Sequence, residues 1–363
     1  MKLLSRMLSA SIPRTRPVVL TVLVLGALLA LAIAACGDDE KTTNGGNASP
    51  STTVKKVSGA INGDGSSTVF PITEAIAEEF QKETRGTVRV TVGISGTGGG
   101  FKKFCRGETD VQDASRPIST SEMEACRASG IQFYELPIAF DALTIAVSPQ
   151  TTWLESITIA ELKQMWDPSS QGRVMKWNQI RSSWPDLPLK LFGAGSDSGT
   201  FDYFTEAVVG KAKASRGDYT ASEDDNTLVQ GIANDKQALG YIPYAYFEPN
   251  KKRLKAVAVD GGHGPVLPSR ETVENGEYQP LSRPMFIYIN AKSAGKPEVK
   301  RFVEFYVGQA PTLVPQVKYV PLPKQAYELA LAHFKDGKLG TAFQGTSTIG
   351  LRIEDLLRRE AKL

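Results

Sequence analysis

The sequence contains few of the side chains on which metal sites and acid–base catalysis usually depend. Only two histidines, His263 and His333, occur among 363 residues, together with three cysteines. Neither histidine is close in sequence to the glycine-rich loops described below, so no metal cluster or activated nucleophile is indicated there. A nucleotide-binding P-loop is also absent, because the nearest match, residues 98–103, ends in two lysines. We therefore expect a protein that is not an enzyme and uses no cofactor.

The sequence also lacks a strong charge imbalance. Its formal net charge is +3, from 42 basic and 39 acidic residues. Lys2, Arg6, Arg14 and Arg16 lie in the leader, and removing the leader lowers the side-chain charge by four, from +3 to −1. No basic stripe or domain is present, so the sequence does not favour a nucleic-acid partner.

The first residues have the pattern of a bacterial lipoprotein signal. A basic start precedes an apolar run over 18–35, which ends in small residues directly before Cys36. We predict a signal peptide over 1–35, a lipid on Cys36, and an extracytoplasmic protein anchored to a membrane on the periplasmic side or the cell surface. The alternative is a single transmembrane helix, because 18 apolar residues can just span a bilayer.

A polar segment separates this signal from the body of the protein. Residues 36–56 are rich in Asp, Thr, Asn, Gly and Ser and predict a flexible linker. About 300 residues follow, which is more than a single core usually holds, so two domains are expected. Within them, Cys105 and Cys126 form an isolated pair that is either a disulfide or two buried thiols, and an oxidising compartment favours the disulfide.

Helical and strand-like patterns alternate along the body. Residues 71–84 have helical periodicity, and 88–94 are rich in β-branched residues. Strand-like segments follow at 133–136 and 143–147, and a Thr158…Glu161 capping box begins another helix. This alternation predicts an α/β fold with largely parallel sheets.

Three short segments share one design. Loop 1 (63–68), loop 2 (95–100) and loop 3 (195–200) are rich in glycine and hydroxyl side chains, and each follows a predicted strand and opens a predicted helix. Glycine permits close backbone approach, and the free N–H groups at a helix start attract anions. Each loop alone is more often a cap or a turn. Three of them together predict an oxyanion site.

Charged residues near these loops have less certain roles. Arg116 offers a planar fork of donors suited to a phosphate-like group, but it can equally pair with Asp113 or another acid. The acidic run over 223–225 is interpreted as a helix cap at Asn226 or a solvated segment rather than a cation site.

The chain resembles the substrate-binding proteins of phosphate ABC transporters, which are type 2 periplasmic binding proteins. The resemblance covers nearly the whole mature chain, including residues 239–241 and 280–284. It is carried by an ordered set of motifs: GSSTVFP (65–71), SGTGGGF (95–101), DASRPI (113–118) and GSDSGT (195–200). It implies a two-lobed fold, in which each lobe is a mostly parallel sheet flanked by helices and the ligand lies in the cleft between the lobes.

The resemblance also implies an organisation and a mode of action. Lobe 1 is expected to comprise 57–143, lobe 2 to comprise 144–260, and residues 261–363 to cross back and complete lobe 1. Hinge closure would bury one dehydrated phosphate, and a monomer would deliver it to ABC transporter permease subunits. Sulfate, molybdate or tungstate binding is the alternative, and a secreted phosphoester hydrolase or a surface sensor is a weaker one.

The resemblance and the loop chemistry together give a set of predicted phosphate-binding residues. Two positions depart from the best-known enterobacterial member, which has an aspartate in place of Arg116 and an arginine in place of Ala194. The carboxylate that accepts the phosphate proton is therefore open, with Asp141 and Asp197 as candidates. The full predicted set is Ser66, Ser67, Thr68, Ser95, Thr97, Arg116, Asp141, Asp197, Ser198, Gly199 and Thr200.

Overall fold

The computed structural model describes residues 57–363, so the predicted signal peptide, Cys36 and the linker lie outside the described residues. Within the described part, none of the helices has the length and apolar character of a membrane span. The strands are β1 (Gly59–Gly65), β2 (Val88–Val92), β3 (Val111–Ala114), β4 (Phe133–Val147), β5 (Ser156–Thr158), β6 (Lys190–Ala194), β7 (Thr220–Ser222), β8 (Ala238–Pro243), β9 (Lys255–Ala256), β10 (Ala258–Asp260), β11 (Pro265–Val266), β12 (Ser282–Asn290) and β13 (Val320–Pro321). The helices are α1 (Phe70–Glu83), α2 (Gly96–Phe104), α3 (Thr120–Ala128), α4 (Ile159–Trp166), α5 (Gly199–Val209), α6 (Asp225–Asn234), α7 (Tyr244–Phe247), α8 (Arg270–Glu274), α9 (Pro297–Gln316), α10 (Lys324–Asp336) and α11 (Ile353–Glu360).

The main sheet follows the strand order β2-β1-β3-β12-β4-β8-β6-β7. We call β2, β1, β3, β12 and residues 133–142 of β4 the first half-sheet, and residues 143–147 of β4 with β8, β6 and β7 the second half-sheet. The outer pairs are parallel, β1 with β2 and β3, and β6 with β7 and β8. The central pairs of β12 and β8 with β4 are antiparallel. The α/β class is confirmed, but the main sheet is mixed, because β12 is antiparallel to β3 and β4, and β8 is antiparallel to β4.

Strand β4 connects the two half-sheets without a break. The sequence predicted two strands, at 133–136 and 143–147, whereas the structure has one strand of 15 residues. Nearly all of β4 is buried, which agrees with a central strand that is covered on both faces. Asp141 places a buried carboxylate in this largely apolar strand, at the point where pairing passes from β12 to β8.

Helix α2 differs from its sequence prediction. The glycines of loop 2 belong to the helix itself, which begins at Gly96. Close packing explains the glycine at position 100, since a Cβ there would lie 2.6 Å from the Cα of Gly65 and 2.1 Å from a side-chain oxygen of Gln112. A disulfide between Cys105 and Cys126 then joins the end of α2 to α3.

The predicted capping box of α4 is confirmed. The Thr158 hydroxyl accepts a hydrogen bond from the Glu161 backbone N–H at 3.1 Å, and the Glu161 carboxylate accepts one from the Thr158 N–H at 2.9 Å. The same reciprocal arrangement, Ser119 with Glu122, begins α3. Short polar motifs therefore define where these helices begin.

A buried carboxyl lies at the end of the last helix. Glu360 is 3% exposed, and neither of its oxygens has a hydrogen-bond partner among residues 57–363. His333 Nδ1 lies 3.7 Å from the Glu360 carboxyl oxygen Oε2, and burial lowers the pKa of this histidine. Burial, together with the nearby Glu135 carboxyl, raises the pKa of Glu360 to about 8.

This carboxyl predicts a pH-dependent stability. Between the ordinary glutamate pKa of about 4.3 and the folded pKa of about 8, the folded state retains a proton that the unfolded state loses. Stability contributed by protonated Glu360 therefore falls as pH rises through this window. We expect Glu360→Gln to unfold like wild type near pH 4 and to be more stable than wild type at pH 8, as measured by urea denaturation.

The exposed Glu354 on the same helix provides the control. Glu354→Gln should show no comparable gain at pH 8. Equal stability of Glu360→Gln and wild type at both pH values would contradict the assignment.

Candidate functional site

The three glycine-rich loops lie together in the structure. Loops 1 and 2 follow β1 and β2 of the first half-sheet, and loop 3 follows β6 of the second. The Gly98 N–H donates to the Asp197 carbonyl at 2.9 Å, which joins loops 2 and 3. The hydroxyls of Thr68 and Thr200 are 2.9 Å apart, which joins loops 1 and 3. The carboxyl ends of parallel strands in both halves thus meet at one place.

Close approach of loop 3 depends on the absence of a side chain at position 199. A Cβ on Gly199 would lie 2.4 Å from the Thr97 hydroxyl oxygen and 2.5 Å from that of Ser115. These two hydroxyls are themselves 3.2 Å apart, and the Ser115 N–H donates to Thr97 at 3.2 Å. Ser115 therefore belongs to the cluster, although the sequence analysis included it only in the DASRPI motif.

Three helices begin at this cluster. Loop 1 precedes α1, loop 2 forms the start of α2, and α5 begins at Gly199. The Ser198 hydroxyl caps α5 by accepting from the Thr200 N–H at 3.1 Å, and the Ser66 hydroxyl accepts from the Thr68 N–H at 3.2 Å. The positive ends of three helix dipoles make the surroundings favourable for negative charge.

The guanidinium at the centre of the cluster belongs to Arg283. Its side chain is 0% exposed and its Nη2 donates to the Thr200 hydroxyl at 2.8 Å and to the Thr68 hydroxyl at 3.4 Å. Its Nη1 donates to the Gly199 carbonyl at 3.0 Å. Arg283 thus touches loop 1 and loop 3 at once.

Asp141 balances this charge from the neighbouring strand. Arg283 and Asp141 are paired residues of β12 and β4, and Arg283 Nη2 lies 3.0 Å from the Asp141 carboxylate. Asp141 also accepts from the Tyr244 N–H at 3.3 Å. Burial raises the pKa of Asp141, and the adjacent guanidinium opposes that shift. The predicted residue Asp141 therefore lies in the cluster as the partner of Arg283.

A second buried carboxyl lies beside the cluster, at the start of α6. Asp225, the first residue of α6, is 2% exposed, and its Oδ2 has no hydrogen-bond partner within residues 57–363. Burial raises the pKa of Asp225 to about 7, while a hydrogen bond with Ser67 lowers it. The interpretation of the acidic run as a cap holds for Asp224, which accepts from the Asn226 N–H. It is wrong for Asp225, which is buried.

Arg116 requires a correction. Its Nε donates to Asp202 at 2.8 Å, and its two Nη atoms donate to the two carboxylate oxygens of Glu122, both at 2.8 Å. A further bond goes to the Pro117 carbonyl. Because four donors of this fork are used by other partners, Arg283 rather than Arg116 provides the guanidinium of the cluster.

Two other predicted residues point their side chains elsewhere. The Ser95 hydroxyl donates to the Asp64 carboxylate. The Asp197 carboxylate pairs with Lys102 at 2.9 Å on the surface, so only its backbone carbonyl contacts loop 2. The remaining predicted residues are buried in the cluster: Ser66, Ser67, Thr68, Thr97, Asp141, Ser198, Gly199 and Thr200.

Comparisons with known proteins identify the family to which the chain belongs. Residues 50–310 match the model of the PBP superfamily domain. The chain is 50% identical over 336 residues to Protein SphX of Synechocystis sp., covering 92% of this chain and 95% of that protein. It is 35% identical over 317 residues to the phosphate-binding protein PstS of Staphylococcus epidermidis, covering 86% of this chain and 91% of that protein.

A solved structure gives the same result. A crystal structure from Planctomyces limnophilus, described as a possible phosphate binding protein, has 48% sequence identity and a TM-score of 0.59, covering 78% of this chain and 99% of that chain. Sequence identity, coverage and fold thus all point to one group of proteins. The chain belongs to the PBP superfamily and, within it, to the family that contains the SphX and PstS proteins.

Proposed function

We propose that the protein binds inorganic phosphate outside the cytoplasm and delivers it to the permease of an ABC transporter. The observation that carries the proposal is the buried Arg283, which contacts hydroxyls from loops 1 and 3 where three helices begin. Relatives with 35% identity are named phosphate-binding proteins, which supports phosphate as the ligand. We infer that the protein binds and releases its ligand without catalysing a reaction.

The proposed binding of the anion depends on the hydrogen-bond donors that surround the site. Thr68, Thr97, Ser115 and Thr200 supply hydroxyls, and the starts of α2 and α5 supply backbone N–H groups. A tetrahedral anion offers oxygens in four directions and matches donors that converge from three loops. The guanidinium of Arg283 adds charge in a site shielded from water, where an ionic hydrogen bond is stronger than at the surface.

Entry of the anion requires the halves to separate. Because the cluster is buried, we propose that residues 57–143 with 261–363 form one lobe, that 144–260 form the other, and that they close as on a hinge. Two connections between these lobes are suited to bending. One is the continuous strand β4, and the other is the segment that returns to β12.

The anion-contacting role of Arg283 predicts a large loss of affinity in Arg283→Lys. Lysine keeps the charge but cannot reach Asp141, Gly199 and Thr200 with one planar fork. Losing charged hydrogen bonds worth about 1.5–3 kcal/mol should weaken phosphate binding roughly 10- to 150-fold, measured by isothermal titration calorimetry.

The control for this experiment is Arg181→Lys, since Arg181 pairs with Glu161 at a partly exposed site away from the cluster. That variant should bind phosphate as wild type does. Wild-type affinity in Arg283→Lys would remove Arg283 from the ligand set.

Asp225 is our proposed acceptor for the proton of hydrogen phosphate, in place of the candidates Asp141 and Asp197. Asp141 is already paired with Arg283, and Asp197 pairs with Lys102 on the surface. Asp225 has a free buried oxygen beside Ser67. An ionised carboxylate there would accept a hydrogen bond from the hydroxyl of hydrogen phosphate and repel sulfate, which has no proton to donate at neutral pH.

This role predicts a pH-dependent selectivity. The pKa of Asp225 is raised to about 7, so its carboxylate gains a proton as pH falls below 7 and can then donate to sulfate. Sulfate binding by wild type should therefore strengthen from pH 8 to pH 5. Asp225→Asn should bind sulfate equally at both pH values and phosphate about tenfold more weakly at pH 8. Competition titrations with both anions test this, and a variant that still rejects sulfate at pH 8 would refute the role.

We further propose that Cys36 carries the lipid that keeps the protein at the membrane. The apolar run over 18–35 and the small residues before Cys36 support this. Cys36→Ser should move the protein from the membrane fraction to the soluble fraction or leave it with an uncleaved signal, as seen by fractionation and mass spectrometry. Correct cleavage and unchanged membrane association in this variant would contradict the anchor.

A further inference from the structure

A buried ion pair joins the two halves beside the site. Arg116 follows β3 of the first half-sheet, and Asp202 lies on α5, which leads from loop 3. The two side chains are 9% and 5% exposed and meet at 2.8 Å. Glu122 holds the other edge of the guanidinium through both carboxylate oxygens, so Arg116 is fixed in the first half and reaches across to the second.

The same face of α5 makes a second contact with the first half. Glu206, one helical turn after Asp202, accepts a hydrogen bond from the hydroxyl of Ser347. Both contacts border a cavity of about 350 Å³, which is also lined by Ser119 and Lys213. Lys213 Nζ is 3.9 Å from the second oxygen of Asp202, so the carboxylate has positive charge on two sides.

We propose that Arg116 and Asp202 form a latch that holds loop 3 closed and sets the rate at which the bound anion leaves. The latch rests on the proposed function, which is phosphate binding. Gly199 and Thr200 are the first two residues of α5 and Asp202 is the fourth, so any displacement of Asp202 displaces the loop 3 residues. Arg116 is then a positioning residue that acts through α5.

The burial of the pair is the reason for its effect. Removing one member of a buried pair leaves the other charge desolvated and without that partner in the closed form, whereas removing one member of a surface pair leaves a charge that water solvates. Lys102 and Asp197 form such a surface pair between the same halves, with side chains that are 63% and 43% exposed. The chain thus offers one buried and one exposed ion pair across the same gap.

The test measures dissociation and association of phosphate separately. Bound radiolabelled phosphate is chased with excess unlabelled phosphate, and association is followed by stopped-flow fluorescence. We expect Asp202→Asn to raise the dissociation rate at least about tenfold and to leave the association rate within about twofold, since the latch forms only after closure. Asp202→Glu, which keeps the charge, should restore part of the slow dissociation. The control Lys102→Ala should change neither rate by more than about twofold.

The outcomes separate the latch from the function on which it rests. A wild-type protein that binds no phosphate would refute the proposed function itself. Wild-type binding together with an unchanged dissociation rate in Asp202→Asn would overturn the latch alone. If circular dichroism shows that Asp202→Asn is unfolded, Arg116→Gln removes the other charge of the pair, and an unchanged dissociation rate in that variant would overturn the latch.

Discussion

The buried ion pair between Arg283 and Asp141 is the interaction around which the site is arranged. Both side chains are fully buried, and they lie on adjacent central strands at the place where β4 passes from β12 to β8. Burying two charges carries a desolvation penalty that their attraction rarely exceeds by much, so such a pair contributes little to folding. Its donors instead hold Gly199, Thr200 and Thr68 in place. This arrangement fits the role in anion binding that we propose for the pair.

Sheet topology delivers the other groups to this pair. Parallel outer strands in each half direct their carboxyl ends to the same edge, and helices begin there. The continuous β4 joins the halves so that loops from both meet over one guanidinium. Glycine at position 199 allows the final approach, because a side chain would clash with the hydroxyls of Thr97 and Ser115. The fold thus brings the positive ends of three helices close to the guanidinium of Arg283.

Local patterns predicted much of this arrangement. Loop composition identified Thr68, Thr97 and Thr200, and the capping box located the start of α4, because both depend on neighbouring residues alone. Arg283 was missed because its role depends on Asp141, which is 142 residues away in sequence. A signal was nevertheless present, since each is a lone charge within an apolar strand segment. The ion pairs of Arg116 could not be predicted in detail, because its partners Glu122 and Asp202 become evident only after folding.

The proposed ligand set has one guanidinium, from Arg283, and hydroxyls from both halves of the sheet. A crystal structure of the protein with bound phosphate would test this most directly. The account predicts phosphate oxygens within hydrogen-bonding distance of the Arg283 guanidinium and of the hydroxyls of Thr68 and Thr200, with Arg116 still bound to Glu122. Phosphate held by Arg116, or located away from Arg283, would contradict it.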